Sequence, residues 1–175
     1  FLMIKNKFFI FFLILTGFQI TWVACVIGEI YDEYLYGIIS GLIYLAIYFS
    51  FIEKRANLLY IFIIFSIPGY LFDSYMAYTK YYYINSDLIF GYLPVWLIFL
   101  WLAFGTLLHS VFTFLKNKVL LSCILGILVG PLTYYSGIIL NIAYTKNLNL
   151  YLLFIGSFWG ILMIFYSLII GKLNK

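Results

Sequence analysis

Charge is scarce in this chain: only 9% of its 175 residues are Asp, Glu, Lys or Arg, and one histidine, two cysteines and three prolines complete a short supply of chemical groups. Each shortage excludes something. With 66% hydrophobic residues and a mean hydropathy of +1.11, too little polar surface remains to coat a soluble globule. Two cysteines and one histidine cannot form a disulfide framework or fill a structural zinc site. No carboxylate pair, His-rich cluster or nucleophile beside a base marks a hydrolase. The ten basic residues give a net charge of +4, but they occur in ones and twos rather than as a patch, so nucleic acid is not an expected partner.

Long apolar runs are what the chain has in abundance. A bilayer core ~30 Å thick needs roughly 20 helical residues per crossing. The windows Phe8 to Gly28, Tyr34 to Ile52, Leu58 to Tyr78, Tyr92 to Leu115, Val119 to Leu140 and Leu150 to Gly171 meet that length. The expected fold is all-α, a six-helix transmembrane bundle forming one integral membrane domain over residues 1–175. The first apolar run exceeds the roughly 7 to 15 residues of a signal-peptide core, and Gly28-Glu29-Ile30 is a poor cleavage site, so it reads as a retained helix. Met3 is a candidate initiator.

Lys and Arg alternate between the two sides. Lys5, Lys7, Lys54, Arg55, Lys116, Lys118, Lys172 and Lys175 share one side; Lys80 and Lys146 share the other with Glu29, Asp32, Glu33 and Asp87. Positive charge is retained inside during insertion, so both termini are expected in the cytoplasm. Cys25 and Cys123 then lie near opposite faces, too far apart to bridge.

Small residues mark where helices meet. Gly37 and Gly41, Gly126 and Gly130, and Gly156 and Gly160 have the spacing that lets membrane helices approach closely. Ser122, Gly126, Gly130, Thr133, Gly137 and Asn141 advance by three or four residues, which predicts one narrow stripe facing protein. Pro131 and Pro68 are expected to bend their helices, whereas Pro94 is expected in a first turn, where proline is tolerated.

Ionisable residues inside the membrane are the natural site candidates. Asp73 lies seven residues before Lys80, roughly 10 Å below the outer boundary, with Lys80 or a tyrosine hydroxyl as its expected partner. His109 shares a helical face with Thr106, Ser110 and Thr113, a polar seam near the inner boundary and too far from Asp73 for a dyad. Asp73, Trp96, Trp101, Tyr134 and Asn141 share a depth in the outer half and are expected to line a pocket there; Trp22 and Gln19 add polar groups to the first span. Glu29 with Asp32 and Glu33 reads as a solvated outer loop, and the tyrosines at 81, 82 and 83 as an interfacial belt. No cofactor or metal is expected.

Several separated motifs together resemble one family. Phe18-Gln19, Trp22 and Cys25-Val26 are followed by Gly69 and Asp73, then by Pro94-Val95-Trp96-Leu97 with Leu100-Trp101, Phe104, Thr106-Leu107 and His109-Ser110. Gly130-Pro131-Leu132-Thr133-Tyr134 with Gly137 ends the series. This order resembles the bacterial multi-pass membrane-protein family catalogued as Domain of Unknown Function 2878. The resemblance implies a bacterial inner-membrane location and no established activity. The family's fourth-span motif is similar to Thr-Leu-Asn-His-Ser; here Leu108 fills the Asn position and His109 matches. The leading expectation is a binding or accessory membrane protein acting on lipid or on a membrane enzyme, its partners being membrane lipids and a membrane protein. A transporter of a small solute or lipid is the alternative, and an intramembrane enzyme is third.

Overall fold

The computed structural model describes residues 7–52 and 55–173. Lys5, Lys54 and Lys175 of the inner basic set, and Met3, lie outside the described residues. The described residues form six helices: α1 (Lys7–Ile30), α2 (Leu35–Phe51), α3 (Arg55–Tyr78), α4 (Val95–Ser110), α5 (Val119–Ile139) and α6 (Leu148–Leu173). The expected all-α class is therefore observed. Four helices, α1, α3, α5 and α6, are long and apolar enough to cross a membrane; α2 and α4 are shorter apolar helices of 17 and 16 residues. Leu71, Leu120, Leu132 and Ile161 stand more than half exposed on the outer flanks, an apolar surface that suits lipid and not water.

The fourth window shortens at both ends for identifiable reasons. Pro94 stands before the first turn of α4, with ψ 143°, and not inside it. It belongs instead to a small ribbon in which β2 (Ile89–Phe90) pairs antiparallel with β3 (Leu93–Pro94). At the other end the helix tightens into a 3₁₀ turn, Phe112–Leu115.

Connections fall at alternate ends. At one end β1 (Tyr83–Ile84), from the α3–α4 link, pairs with β4 (Ala143–Tyr144), from the α5–α6 link. At the opposite end the Asn117 N–H, in the α4–α5 link, donates to the Ser167 carbonyl of α6 at 3.1 Å. The helices that run toward the β1–β4 end close through left-handed residues, Asp32, Lys80 and Asn141, with φ of 57°, 62° and 58°. After α3 the Lys80 N–H reaches the Ala77 carbonyl and the Tyr81 N–H reaches that of Met76, both at 3.0 Å, which satisfies carbonyls the helix leaves open.

Glycine sets the helix contacts. Gly126 and Gly130 of α5 press on Trp159 of α6, where an added Cβ would overlap Trp159 atoms in both cases. In return, a Cβ on Gly160 would lie 2.8 Å from Ile127, and one on Gly156 would lie 3.2 Å from the Pro131 ring. α5 runs unbroken through Pro131, and Gly156 makes the room for that ring. Gly37 and Gly41 of α2 likewise admit Cys25, Trp96 and Phe99.

The polar stripe of α5 holds only for its first half. Ser122, Gly126 and Gly130 are buried, but Thr133 and Asn141 are exposed. From Gly130 a step of three turns about 60° one way and a step of four about 40° the other, so it is Tyr134, four residues on, that continues the inward seam. In α3, Phe62–Ser66 form a π-turn directly before Pro68, a widened turn that loosens the hydrogen-bond ladder where the proline lacks its donor.

Candidate functional site

Asp73 of α3 is completely buried. The Trp101 indole N–H of α4 donates to its Oδ2 at 2.7 Å, and the Tyr134 hydroxyl of α5 reaches Oδ1 at 2.8 Å and Oδ2 at 2.9 Å. Of the two expected partners the tyrosine hydroxyl is the one observed, and Lys80 is not. Gly69, one turn before Asp73, makes the arrangement sterically feasible: a side chain there would occupy the space of the Trp101 ring. Trp101 in turn stacks on Trp159 of α6, with centroids 5.4 Å apart and planes 15° from parallel.

Aromatic rings continue from this carboxylate toward the β1–β4 end. Tyr134 packs on Tyr151 at 6.2 Å and Tyr151 on Tyr82 at 5.3 Å. The Tyr82 and Tyr151 hydroxyls and the Trp159 indole nitrogen are buried and meet no hydrogen-bond partner among the described residues. Tyr82 was expected in the interfacial belt with its neighbours, but it is 2% exposed. The extended backbone explains the difference: Tyr82 turns inward, and Tyr83, on the opposite face of the ribbon, stacks on Tyr144 at 5.3 Å. Burial, with the Asp73 charge nearby, pushes the Tyr82 phenol well above its ordinary pKa, so it is a neutral donor.

Two further polar groups are separate from this one. Glu29, expected in a solvated loop, is 7% exposed, and its Oε2 accepts the Trp96 indole N–H at 2.6 Å. The closeness of α1, α2 and α4 at Gly37 pulls it under cover. Asp32 does remain outside; its carboxylate accepts the Tyr34 hydroxyl at 2.9 Å, which raises that phenol to about 12. At the opposite end, the Tyr48 hydroxyl joins His109 Nδ1 at 2.8 Å and the Ser110 hydroxyl, while Tyr44 joins Thr106. Thr113 falls in the 3₁₀ turn, outside that seam.

The structure thus brings together Asp73, Trp101 and Tyr134 from the predicted set. Trp96 belongs with Glu29, and Asn141 stands exposed in the turn after α5. Trp22 is half-buried on α1 and shares no hydrogen bond with either group among the described residues. His109 lies eight residues after Trp101 on α4, about 12 Å along the axis, so it and Asp73 serve different groups. Sequence reasoning missed Tyr82, Tyr151 and Trp159, and the α2 partners Tyr44 and Tyr48. Tyr151, Ile155, Tyr166 and Ile170 lie at helical spacing on the buried face of α6, a periodicity that could have flagged Tyr151.

An all-α chain with four bilayer-length apolar helices, an apolar outer flank and an aspartate sealed in its interior is a membrane protein. The chain belongs to the family described as protein of unknown function DUF2878, whose pattern matches residues 12–165 and so takes in all three polar groups. No curated protein and no solved structure matches it.

Proposed function

We propose that this is a six-span, single-domain protein of the bacterial inner membrane, with both termini in the cytoplasm, that binds a membrane-resident ligand. In that role it acts on lipid directly or serves a membrane enzyme. The observation that carries the reading is the Asp73 centre. An ionisable side chain costs several kcal/mol to hold in a bilayer. Here four helices contribute to its surroundings: Asp73 from α3, Trp101 from α4, Tyr134 from α5 and Trp159 from α6. The unpartnered Tyr82, Tyr151 and Trp159 groups beside it are donors awaiting an acceptor. A set of oriented donors around one carboxylate favours recognition over bond cleavage.

Native mass spectrometry of protein extracted with its surrounding lipid tests this. A retained lipid or small molecule that is lost in Asp73→Asn, while the variant stays folded, is the expected result. Identical ligand profiles for wild type and Asp73→Asn would overturn it. The π-turn in α3, in the helix that carries Asp73, favours transport as the second reading, because such turns give a helix a place to flex. Solute flux in proteoliposomes that Asp73→Asn abolishes would promote that reading over the first.

A further inference from the structure

The two outer lysines converge. Lys80 and Lys146 are the only basic residues assigned to the outer side, and they come from different links, 66 positions apart in the chain. Both nevertheless line one cavity of about 290 Å³, together with Tyr83, Tyr144 and Thr145. The β1–β4 ribbon is the device that joins them. It pairs Tyr83 with Tyr144, and continuing that register sets Lys146 opposite Tyr81, the residue after Lys80. The Thr145 hydroxyl donates to the Tyr81 carbonyl at 2.7 Å and ties the two links a second time.

Three features of this cavity point the same way. Insertion disfavours positive charge on this side, yet the two cations that are there line the same cavity. Neither lysine has a carboxylate partner among the described residues. Lys80 also occupies the left-handed position that closes α3, φ 62°, where Gly or Asn would sit with less strain. The helix closure explains the left-handed backbone but not the choice of lysine for it.

We propose that Lys80 and Lys146 form a binding site for a phosphate group at the outer membrane surface. The cavity volume suits a headgroup and not a whole lipid. Its lining includes the stacked Tyr83 and Tyr144 rings, apolar surfaces of the kind found at the glycerol level of a bilayer, and the two lysines whose ammonium groups would meet the phosphate. Tyr82, two residues after Lys80 and next to Tyr83, turns into the aromatic core that leads to Asp73, so the site lies over the centre described above. The inference rests on the proposed orientation only for which leaflet supplies the ligand.

The test uses the full chain in nanodiscs of phosphatidylglycerol and phosphatidylcholine, read by native mass spectrometry and by salt titration. A lysine at a charged membrane surface contributes roughly a fivefold factor in binding, so Lys80→Gln with Lys146→Gln should lose about 30-fold in phosphatidylglycerol retention. Lys80→Asn should lose the single-lysine factor while unfolding at higher temperature than wild type, since Asn relieves the strained turn; a purely structural lysine would show neither loss nor this opposition. Displacement of the lipid by millimolar inorganic phosphate or glycerol phosphate would assign the site to a free solute, and resistance to it would assign a lipid headgroup. Unchanged retention in the double variant overturns the site. Nanodiscs expose both faces, so this result stands apart from orientation, which labelling of Asp87→Cys reads separately.

Discussion

At the scale of single residues, Asp73 shows what sequence could and could not reveal. An aspartate in an apolar window is conspicuous, and its depth relative to Lys80 was readable by counting. Its partners were readable in part. Trp101 and Tyr134 share its depth, but so do Trp96 and Asn141, and depth alone does not say which side of a helix faces which neighbour. Tyr82 was hidden because one tyrosine in a run of three looks like its neighbours until the backbone alternation is known. The Tyr134 hydrogen bonds give a measurable consequence. An intramolecular hydrogen bond contributes about 0.5–3 kcal/mol, the upper end where its acceptor is charged, and Tyr134→Phe removes one without changing shape. Tyr134→Phe should therefore lower stability by that amount in detergent-solubilised protein, and a cycle with Asp73→Asn should show coupling of at least ~0.5 kcal/mol. Additive effects would mean that the Asp73 contact contributes nothing on its own.

At the scale of elements, the six windows translated into six helices with ends displaced by a few residues. The largest, five residues from Leu115 back to Ser110, has a local cause, since the chain tightens there into a 3₁₀ turn; at the other end of that window Leu93–Pro94 is drawn into a ribbon that hydropathy cannot detect. The Gly-xxx-Gly spacing was legible because packing in lipid depends on small residues, and the α5–α6 seam contains two of the three predicted pairs. The seam also makes a graded prediction. At Gly126 a methyl group would overlap the backbone of Trp159 and come within 3.0 Å of Gly160 Cα, atoms that cannot rotate away. At Gly137 the nearest contact would be Ala143 Cβ at 3.9 Å, ordinary van der Waals separation. Gly126→Ala should therefore destabilise by about 1–3 kcal/mol, the cost of overpacking, while Gly137→Ala should be neutral or gain up to about 1 kcal/mol from helix propensity. Thermal unfolding of the two variants side by side reads the contrast; equal behaviour would show that the seam is loose.

For the whole molecule, the decisive property is the separation of two ends that differ in charge and in construction. The end with few lysines carries the paired ribbons, three of the four described left-handed non-glycine residues, buried Glu29 and the Lys80–Lys146 cavity. The opposite end carries Arg55, Lys116, Lys118 and Lys172 with the hydroxyl seam of Tyr48, His109 and Ser110. Positive charge on one side is a topological signal with a known sign, so the molecule predicts its own orientation. Single cysteines placed in a background lacking Cys25 and Cys123 make that measurable in intact cells. Asp87→Cys, in the α3–α4 link, should react with a membrane-impermeant maleimide added from outside. Asn117→Cys, in the α4–α5 link, should react only after the cytoplasmic face is opened. The reverse pattern would put both termini outside and turn the lysine cavity toward the cytoplasm, while equal labelling of both sites from one face would mean that α4 does not cross. Its 16 residues span about 24 Å, short of a ~30 Å core, so this helix is where a six-span arrangement meets its strictest test.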